Sequence, residues 1–467
     1  MSPTGWLITG AAVILVAGLP YWLPSVVIAL RVRIFAWVGG EEGIRAPGRE
    51  VPAEEFKKVY GHPAANGRSR GAALSDLFWY WLSPGPEVHQ EHLEPGPRYD
   101  DVARTTRQIL AGLSREQWTE LVGRCTRRVL DELDSDDVDA RVHGVRLRDL
   151  MMPVWAEVYY EVVFRAPCPH HVRDLITGNA NDVISALKCT GLRHMDRRAR
   201  LTAHLRDRLA HDPPPVPLPS TLSRREQAYY LQGTFFNTAV VQMSEAMAHL
   251  LLALATHRPV QDRLLAGEAD PGFLDRVIDE TLQHFPLFGV AHRITSGEIP
   301  RDGRDPIPAG SVLLFNYPEY QGSGGAPFDP DRWLDPDTKP SAYIPFGVTA
   351  NRPCPARGFA VLTMRVAAEE TLRRFRLESS AEHTRSLPSR GPCLLVPRTG
   401  TAAGSAGSLR TRLAVMRLAD RWAAVPRSLV QLVLGSYMVW DARRQGLCRN
   451  HFAASSGGSA PSVAAGR

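Results

Sequence analysis

The sequence contains few cysteines, and their spacing excludes several classes of protein. The six are far apart, with no C-x-x-C pair among them and no histidine cluster at zinc spacing; they are Cys125, Cys168, Cys189, Cys354, Cys393 and Cys448. Disulfide frameworks and structural zinc sites both need more closely spaced groups of residues. We therefore expect neither in this chain.

Little of the net positive charge comes from the body of the chain. The formal net charge is +6 over 467 residues, yet residues 401–467 alone contain nine arginines and only two aspartates. The excess of positive charge therefore belongs to the C-terminal tail. A body without a basic excess is not expected to bind nucleic acid.

Charged side chains are also missing from Ser2 to Leu30. The 25-residue run WLITGAAVILVAGLPYWLPSVVIAL is long enough to cross a hydrocarbon core of about 30 Å. Arg31 and Arg33 follow directly, a position typical of the cytoplasmic end of a membrane anchor. We predict an N-terminal membrane anchor over residues 1–38, kinked by its prolines, with the rest of the chain on the cytoplasmic side.

The remaining pattern indicates a mainly α protein with a small β lobe. Helix-forming stretches dominate from about Asp100 to Leu282, and short β-like runs such as SVLLF and CLLVPR come later. A stretch of over thirty residues without proline begins near Ser223, long enough to run through the middle of a domain. We assign residues 39–399 to this domain.

Residues 400–467 form a basic C-terminal extension. It begins with the linker-like GTAAGSAGS at 400–408, continues with a basic amphipathic run and an apolar run, and ends in a small-residue segment that we expect to be disordered. Two interpretations remain open for its helices. They lie on an anionic membrane surface, or they pack against the body or a partner.

Cys354 is the cysteine with the most unusual surroundings. It lies in ANRPCPARGF, between two prolines and directly before the helical run AVLTMRVAAEETLRRF. A cysteine at the start of a helix is stabilised as a thiolate by the helix dipole. Since no histidine or asparagine base accompanies it there, we interpret it as a metal ligand in preference to a protease nucleophile.

The segment around this cysteine resembles the haem-ligand loop of the cytochrome P450 family. Phe346 precedes Cys354 by eight residues and Arg352 precedes it by two, and the helix that follows opens with Phe-Ala. The loop is one residue longer than in the family. Ala350 and Ala356 hold its two glycine positions.

Other segments resemble the same family in the same order. ETLQHFPLFGVAHRI resembles its Glu-x-x-Arg helix, with Glu280, Pro286 and the basic residue Arg293 in place. FDPDRWL resembles the stretch that supplies a second arginine, here Arg332, and HRPVQDRL resembles the turn after the central helix. The resemblance covers roughly residues 40–398 and implies the family's triangular, mainly helical fold with a small β lobe.

The resemblance also implies a cofactor and the residues that hold it. The cofactor is haem b, with Cys354 as the iron ligand and Phe346 beside it. Arg293 and Arg352 are implied as partners of the haem propionates, together with Arg104 or Arg107 from a helix nearer the N-terminus. Gln283 occupies the position of the arginine in Glu-x-x-Arg, so we expect Glu280 to pair chiefly with Arg332 and haem to be held less tightly.

The central helix departs from the oxygen-activating members of the family. Counting back from Pro259 places Gln242 and Met243 where those members have an acid and a threonine, and neither side chain relays protons. Another register places Asn237, in FFNT, over the haem. That spelling resembles the allene oxide synthase and hydroperoxide lyase branch, and an amide suits the orientation of an oxygen already attached to the substrate.

These observations favour a haem-thiolate enzyme acting on a lipophilic small molecule that brings its own oxidising O–O or N–O bond. One alternative is a conventional monooxygenase that uses dioxygen and a ferredoxin or flavoprotein reductase. A second alternative is a catalytically silent protein that keeps haem and the fold alone.

Overall fold

A computed structural model gives the fold. The structure describes residues 3–39, 43–68, 73–82, 93–135, 142–287, 289–322, 325–398 and 406–456. Most of the predicted linker at 400–408 and the predicted disordered end lie outside the described residues.

Helices make up most of the described chain, as the sequence predicts. In chain order they are α1 (Pro3–Ala17), α2 (Leu19–Gly39), α3 (Phe56–Gly61), α4 (Ala73–Leu82), α5 (Pro97–Ala111), α6 (Arg115–Ser135), α7 (Leu147–Phe164), α8 (His170–Leu187), α9 (Met195–His211), α10 (Arg224–Gly233), α11 (Val240–Thr256), α12 (Arg258–Leu265), α13 (Phe273–His284), α14 (Tyr317–Gln321), α15 (Ala360–Arg374), α16 (Ala406–Gln445) and α17 (Leu447–Ser456).

The strands form two small sheets at the edge of the helical body. Their bounds are β1 (Ile44–Ala46), β2 (His143–Arg146), β3 (Val290–Ile294), β4 (Val312–Asn316), β5 (Phe375–Glu378) and β6 (Pro392–Pro397). The first sheet has the order β1-β4-β3, with β1 parallel and β3 antiparallel to β4. The second, of order β2-β6-β5, is antiparallel throughout. The mainly α fold with a small β lobe is confirmed.

A long central helix crosses the core. It begins at a capping box, in which the Ser223 hydroxyl accepts from the Glu226 amide and the Glu226 carboxylate accepts from the Ser223 amide. It continues through a π-helical segment at Thr234–Ala239 and ends at Thr256. Most of α11 is buried against α7, the apolar helix WAEVYYEVVF. This helix places one face over Cys354.

The C-terminal helices pack on the body, which is one of the two interpretations drawn from the sequence. The Tyr80 hydroxyl of α4 donates to the Asp441 carboxylate of α16 at 2.9 Å. Met438, Val439 and Ala442 of α16 are buried against Leu77 and neighbouring apolar residues. A 40-residue helix is thereby fixed along one side of the molecule.

In the part of the chain that the structure describes, two helices are long and apolar enough to cross a membrane by length and composition. Residues Arg224–Thr256 belong to the central helix, and 78% of its most apolar stretch is buried in the protein. Leu19–Trp37 belongs to α2, where only 6% is buried. The N-terminal apolar helix on which the predicted anchor depends is therefore present.

Candidate active site

The loop before α15 is held by backbone hydrogen bonds around Cys354. The Cys354 amide donates to the Phe346 carbonyl at 3.1 Å, and the Arg357 amide donates to the Cys354 carbonyl at 3.3 Å. α15 begins only at Ala360, after turn residues that include Pro355. The helix therefore begins where the sequence places it, at Phe359 and Ala360, and Pro355 with the following turn separates it from Cys354. The cysteine lies in the approach to the helix.

Cys354 lines a mostly apolar cavity. The cavity lies between the central helix, the Cys354 loop and α15. The lining residues are Thr106, Leu110, Tyr159, Thr234, Phe235, Thr238, Ala239, Gln242, Met243, Ala246, Leu282, Leu287, Pro345, Phe346, Cys354, Pro355, Ala356, Ala360 and Met364. None of them is acidic or basic, so the cavity offers neutral hydroxyl and amide groups, a phenol and a thiol.

The other five cysteines have a different environment. All are buried, whereas Cys354 is half-buried at the cavity. Burial raises the pKa of Cys168 and of Cys393 to about 12, and it also raises the pKa of Cys125. Cysteines held as neutral thiols in apolar surroundings are poor metal ligands. Cys354 is therefore the cysteine best placed to bind iron.

The central helix presents two of the three predicted residues to the cavity. Gln242 and Met243 line it, as the gap-free count from Pro259 indicates. Gln242 is half-buried there. Asn237 is buried beside the cavity and does not line it, and its side-chain oxygen lacks a hydrogen-bond partner within the described residues.

Thr234 and Thr238 are lining residues that the sequence reasoning missed. Both belong to the π-helical segment, where each turn holds more residues than an α-helix and the face presented to the cavity shifts. The Thr234 hydroxyl is buried without a hydrogen-bond partner in the described part of the chain. The spacing of four residues from Thr234 to Thr238 and from Thr238 to Gln242 is the signal that was available.

Arg293 and Arg352 come together at one corner of the β lobe. Arg293 Nη1 donates to Asn351 Oδ1 at 3.2 Å and to the Ala65 carbonyl at 3.1 Å. Arg352 Nε donates to the carbonyl of Asn66, which follows Ala65 in the chain, at 2.8 Å. Arg293 Nε is buried without a partner among the described residues. The two arginines are thus neighbours, and their role toward propionates stays a prediction.

Arg104 and Arg107 lie on the exposed side of α5. Arg104 pairs with Asp101 at 2.5 Å, and its side chain is 58% exposed. Thr106, which lies between the two arginines in sequence, faces inward, lines the cavity and hydrogen-bonds to the Tyr230 hydroxyl at 2.9 Å. α5 therefore contributes a hydroxyl to the cavity wall, and its two arginines point to solvent.

Glu280 forms the centre of a buried hydrogen-bond network. Its carboxylate accepts from Arg332 Nε at 2.7 Å, Trp333 Nε1 at 2.8 Å, the Asp329 amide at 2.8 Å and His284 Nε2 at 3.0 Å. Burial acts to raise the pKa of Glu280, but the hydrogen bonds and Arg332 outweigh it and lower that pKa. The predicted pairing of Glu280 with Arg332 is confirmed.

Gln283 takes no part in that network. Its side-chain amide donates to the Gln321 carbonyl, and Gln321 Nε2 in turn donates to the Leu282 carbonyl at 2.7 Å. The Gln283 side-chain oxygen is buried without a partner among the described residues. The glutamine therefore joins α13 to α14 in place of bonding to Glu280.

Tyr159 is a further cavity residue without a sequence signal. It belongs to α7, where nearly every side chain is buried and no periodicity distinguishes one face. Burial raises the pKa of Tyr159 above its ordinary value, and the neighbouring Cys354 raises it further. Tyr159 therefore remains a neutral phenol close to the cysteine.

The residues around Cys354 fit a haem. A thiol at the wall of an apolar cavity matches what an iron porphyrin would need, namely a sulfur ligand and apolar contacts. Phe346, Ala356 and Leu110 supply such contacts. Cys354 would be the ligand, and the side of the cavity formed by Gln242 and Met243 would face the substrate.

Comparisons with known proteins agree with this site. Residues 269–402, which contain Glu280, Arg332 and Cys354, match the family model described as Cytochrome P450. The putative cytochrome P450 135A1 of Mycobacterium tuberculosis is 30% identical over 174 residues, covering 35% of this chain and 36% of its own length. Cytochrome P450 3A2 of Rattus norvegicus is 28% identical over 168 residues, covering 30% and 32%. The chain spans about a third of the length of these curated relatives.

Solved structures extend the likeness over the whole body. Cytochrome P450SP alpha in complex with (R)-ibuprophen has a TM-score of 0.59 at 15% identity, covering 73% of this chain and 88% of its own. CYP175A1 from Thermus thermophillus has a TM-score of 0.58 at 18% identity, covering 81% and 97%. At such identities these structures establish the fold alone. The family model over residues 269–402, the partial relatives and the shared fold together support a cytochrome P450 family protein.

Proposed function

We propose that this protein is a haem-thiolate enzyme that acts on a lipophilic small molecule. The observation that carries the proposal is the cavity that joins Cys354 to the central helix through a mostly apolar wall. Cys354 is the iron ligand of a haem b in this proposal. Residues 39–399 form the catalytic domain, residues 1–38 the membrane anchor and residues 400–467 a C-terminal extension, with the catalytic domain on the cytoplasmic side.

The lining of the cavity supports a lipophilic substrate. Phe235, Leu287 and Met364 present apolar side chains, and the lining residues include no charged group that would bind an ionic substrate. One solved structure of the same fold, cytochrome P450EX alpha, was determined with myristic acid (TM-score 0.57, 17% identity, 73% of this chain and 86% of that chain). We extend this class of ligand to the present chain as part of the proposal.

The side chains opposite Cys354 favour a substrate that brings its own oxidising bond. Haem bound through a thiolate supplies the chemistry that cleaves an O–O or N–O bond. Gln242 and Met243 donate no acidic proton near neutral pH, and no carboxylate or histidine lines the cavity among the described residues. Proton delivery to dioxygen is therefore poorly supported, whereas a hydroperoxide needs none from an acidic side chain of the protein.

Gln242 is the residue we propose to orient the substrate. Its amide has both a donor and an acceptor, and the side chain lines the cavity. A polar group at the wall of a mostly apolar cavity favours a ligand that can hydrogen-bond to it. The Gln242 amide would hydrogen-bond to the oxygen attached to the substrate and hold it toward the thiolate side of the cavity.

The two threonines favour a second candidate function. Thr234 and Thr238 place hydroxyl groups in the cavity wall two turns and one turn before Gln242, respectively. Hydroxyl groups with ordered water relay protons, and such a relay is what a conventional monooxygenase fed by a ferredoxin or flavoprotein reductase requires. The two threonines would then do the work of the acid and the threonine of oxygen-activating members, whose positions hold Gln242 and Met243 in this chain.

One experiment separates the two candidates. The purified full-length protein is supplied either with a fatty-acid hydroperoxide alone, or with the parent fatty acid, dioxygen, NADPH, ferredoxin and its reductase. We expect turnover of the hydroperoxide without NADPH, and a lower kcat in Gln242→Leu. Gln227→Leu, on the same helix but bonded to the Pro219 carbonyl, is the matched control and should leave kcat unchanged. Turnover only in the complete reductase system would overturn the first proposal in favour of the second.

A further inference from the structure

The long C-terminal helix carries a stripe of exposed apolar side chains. Large apolar residues recur on α16 at intervals of three, four and seven positions, and each is between 40% and 66% exposed; they are Val415, Leu418, Trp422, Leu429, Val430, Val433, Tyr437 and Trp440. Such intervals place them on one face of a helix. The face extends over 26 residues, from Val415 to Trp440, or roughly 38 Å at the rise of an α-helix.

The opposite face of α16 is anchored to the body. Gln431 Nε2 donates to the Lys188 carbonyl at 2.8 Å, and Arg427 Nη2 donates to the Ser389 hydroxyl at 2.5 Å. Asp441 is buried against Tyr80. Because contacts of this kind occur along much of the helix, the stripe is held in a fixed orientation and always faces outward.

α2 lies alongside α16 and runs in the same direction. Near its start, the Tyr21 hydroxyl accepts from Arg421 Nη1 at 3.0 Å. Further along, Gly435 passes so close to Arg31 that an added Cβ would lie 3.5 Å from its Nε. From the first of these contacts to the second, the chain advances fourteen residues along α16 and ten residues along α2. The two helices form a pair on the surface of the body.

The exposed side of α2 continues the apolar surface of α16. Tyr21, Trp22, Val26, Ile28 and Val32 are between 39% and 67% exposed. Since Leu19–Trp37 is apolar enough to enter a membrane, any bilayer that surrounds α2 also reaches the neighbouring stripe. Continuity with α2 thus favours lipid over a protein as the occupant of the stripe.

The charges of α16 fit an anionic lipid surface. The helix has seven arginines and two aspartates, and no lysine or glutamate. Arg410 and Arg412 precede the stripe, and Arg443 and Arg444 follow it. Trp422 and Trp440 lie within it, and tryptophan is enriched where the bilayer meets water. An apolar face flanked by arginines is typical of helices that lie in the plane of the interface.

We propose that α16 is a second membrane-embedded element of this protein. Its stripe and the exposed side of α2 form one apolar surface that lies in the interfacial layer of an anionic bilayer. The body consequently rests on the membrane in a fixed orientation, and its contact with lipid does not depend on a single span. The proposal concerns the membrane contact and does not depend on haem chemistry or on the substrate.

Vesicle flotation of the full-length protein tests the proposal. The double variant Leu418→Glu/Val433→Glu places two carboxylates in the stripe and leaves α2 intact. We expect its partition into vesicles of phosphatidylcholine and phosphatidylglycerol to fall roughly tenfold or more, because two apolar side chains leave the lipid and two negative charges meet an anionic surface. Leu334→Glu, at a side chain that is 64% exposed but far along the chain from α16, is the matched control and should float like the unaltered protein.

A photoactivatable phospholipid provides an independent measurement. We expect cross-linked lipid on the tryptic peptide between Arg427 and Arg443, as well as on α2. Cross-links confined to residues 3–39, or a double variant that floats as well as the control, would overturn the proposal. Failure of the unaltered protein to float on any vesicle would likewise overturn it, and would point to a protein as the occupant of the stripe.

Discussion

The carboxylate of Glu280 and the guanidinium of Arg332 are joined by a hydrogen bond of 2.7 Å between two elements that are far apart in sequence. Glu280 is fully buried on α13, and its partner is 18% exposed on the short 3₁₀ turn Pro330–Leu334. A buried carboxylate depends on its donors to remain ionised. This pair therefore fastens the helix that precedes β3 to the chain that leads to the Cys354 loop.

Removal of Arg332 should strongly destabilise the fold. In Arg332→Ala, Glu280 keeps Trp333, His284 and the Asp329 amide as donors but loses its cation. We expect the free energy of unfolding to fall by about 3–5 kcal/mol, the usual effect of breaking a buried pair from one side. Urea denaturation of the purified protein measures this change.

A surface pair serves as the control for that prediction. Arg263 pairs with Asp331 at 2.7 Å, but both side chains are about a third to a half exposed. Arg263→Ala should change the free energy of unfolding by about 1 kcal/mol or less, because solvent screens exposed pairs. If the two variants were equally destabilised, the account of Glu280 would be wrong.

The substitution Gln283→Arg should raise the stability and the haem content. The present side-chain oxygen is buried without a donor, which costs about 1–3 kcal/mol, and an arginine would remove it and add a cation beside Glu280. We expect a higher melting temperature and a larger haem-to-protein ratio after purification. Gln261→Arg, at a buried glutamine whose amide is fully used by α11 and β5, should do the opposite. Unchanged haem content and melting temperature in Gln283→Arg would show that this position does not limit cofactor retention.

Residues fixed by local pattern were the ones that the sequence predicted well. The loop before α15, the pairing of Glu280 with Arg332 and the long central helix each follow from spacing along a short stretch of chain. Cys354, Gln242 and Met243 lie at one cavity because those spacings are kept in the fold. The mainly α class follows from composition and periodicity alone.

Residues whose position depends on tertiary packing were the ones that it missed. Thr238 faces the cavity because the central helix widens to a π-helical segment. Such a change in the backbone hydrogen-bond pattern depends on what packs against the helix. Thr106 faces inward where Arg104 and Arg107 were expected, since the phase of α5 is set by its buried side, which includes Val102 and Ile109. Tyr159 lies on a helix that is buried on all sides and shows no pattern.

Replacement of Cys354 should abolish the thiolate signature of bound haem. The unaltered protein, expressed with a haem supply, reduced and treated with carbon monoxide, should give the red-shifted Soret band typical of a thiolate ligand. Cys354→Ser should lose that band. Cys168→Ser, which removes a buried thiol remote from the cavity, should retain it. The assignment of Cys354 as ligand would fail if Cys354→Ser kept the band.

A buried histidine pair should make stability depend on pH below neutrality. His249 Nδ1 and His383 Nε2 are 2.9 Å apart, and His383 stacks on Phe285 with ring centroids at 3.5 Å. Burial lowers the pKa of His249 from 6.5 to about 4, with Glu245 opposing and Lys188 adding to the effect. Burial also lowers the pKa of His383, and His249 lowers it further, followed by His257 and His284.

The lowered pKa values of His249 and His383 change the free energy of unfolding in the same direction. Between about pH 4 and 6.5 the unfolded chain binds protons that the folded chain does not, so the free energy of unfolding falls as pH decreases, by up to about 1.4 kcal/mol per pH unit for each histidine. His383→Phe preserves the stacking and removes one titrating group, so the slope should decrease. Urea denaturation at a series of pH values measures the slope. His211→Phe, at a histidine that is 77% exposed, should leave it unchanged. An equal slope in His383→Phe and the unaltered protein would show that other groups, such as Glu280, set the acid limit of stability.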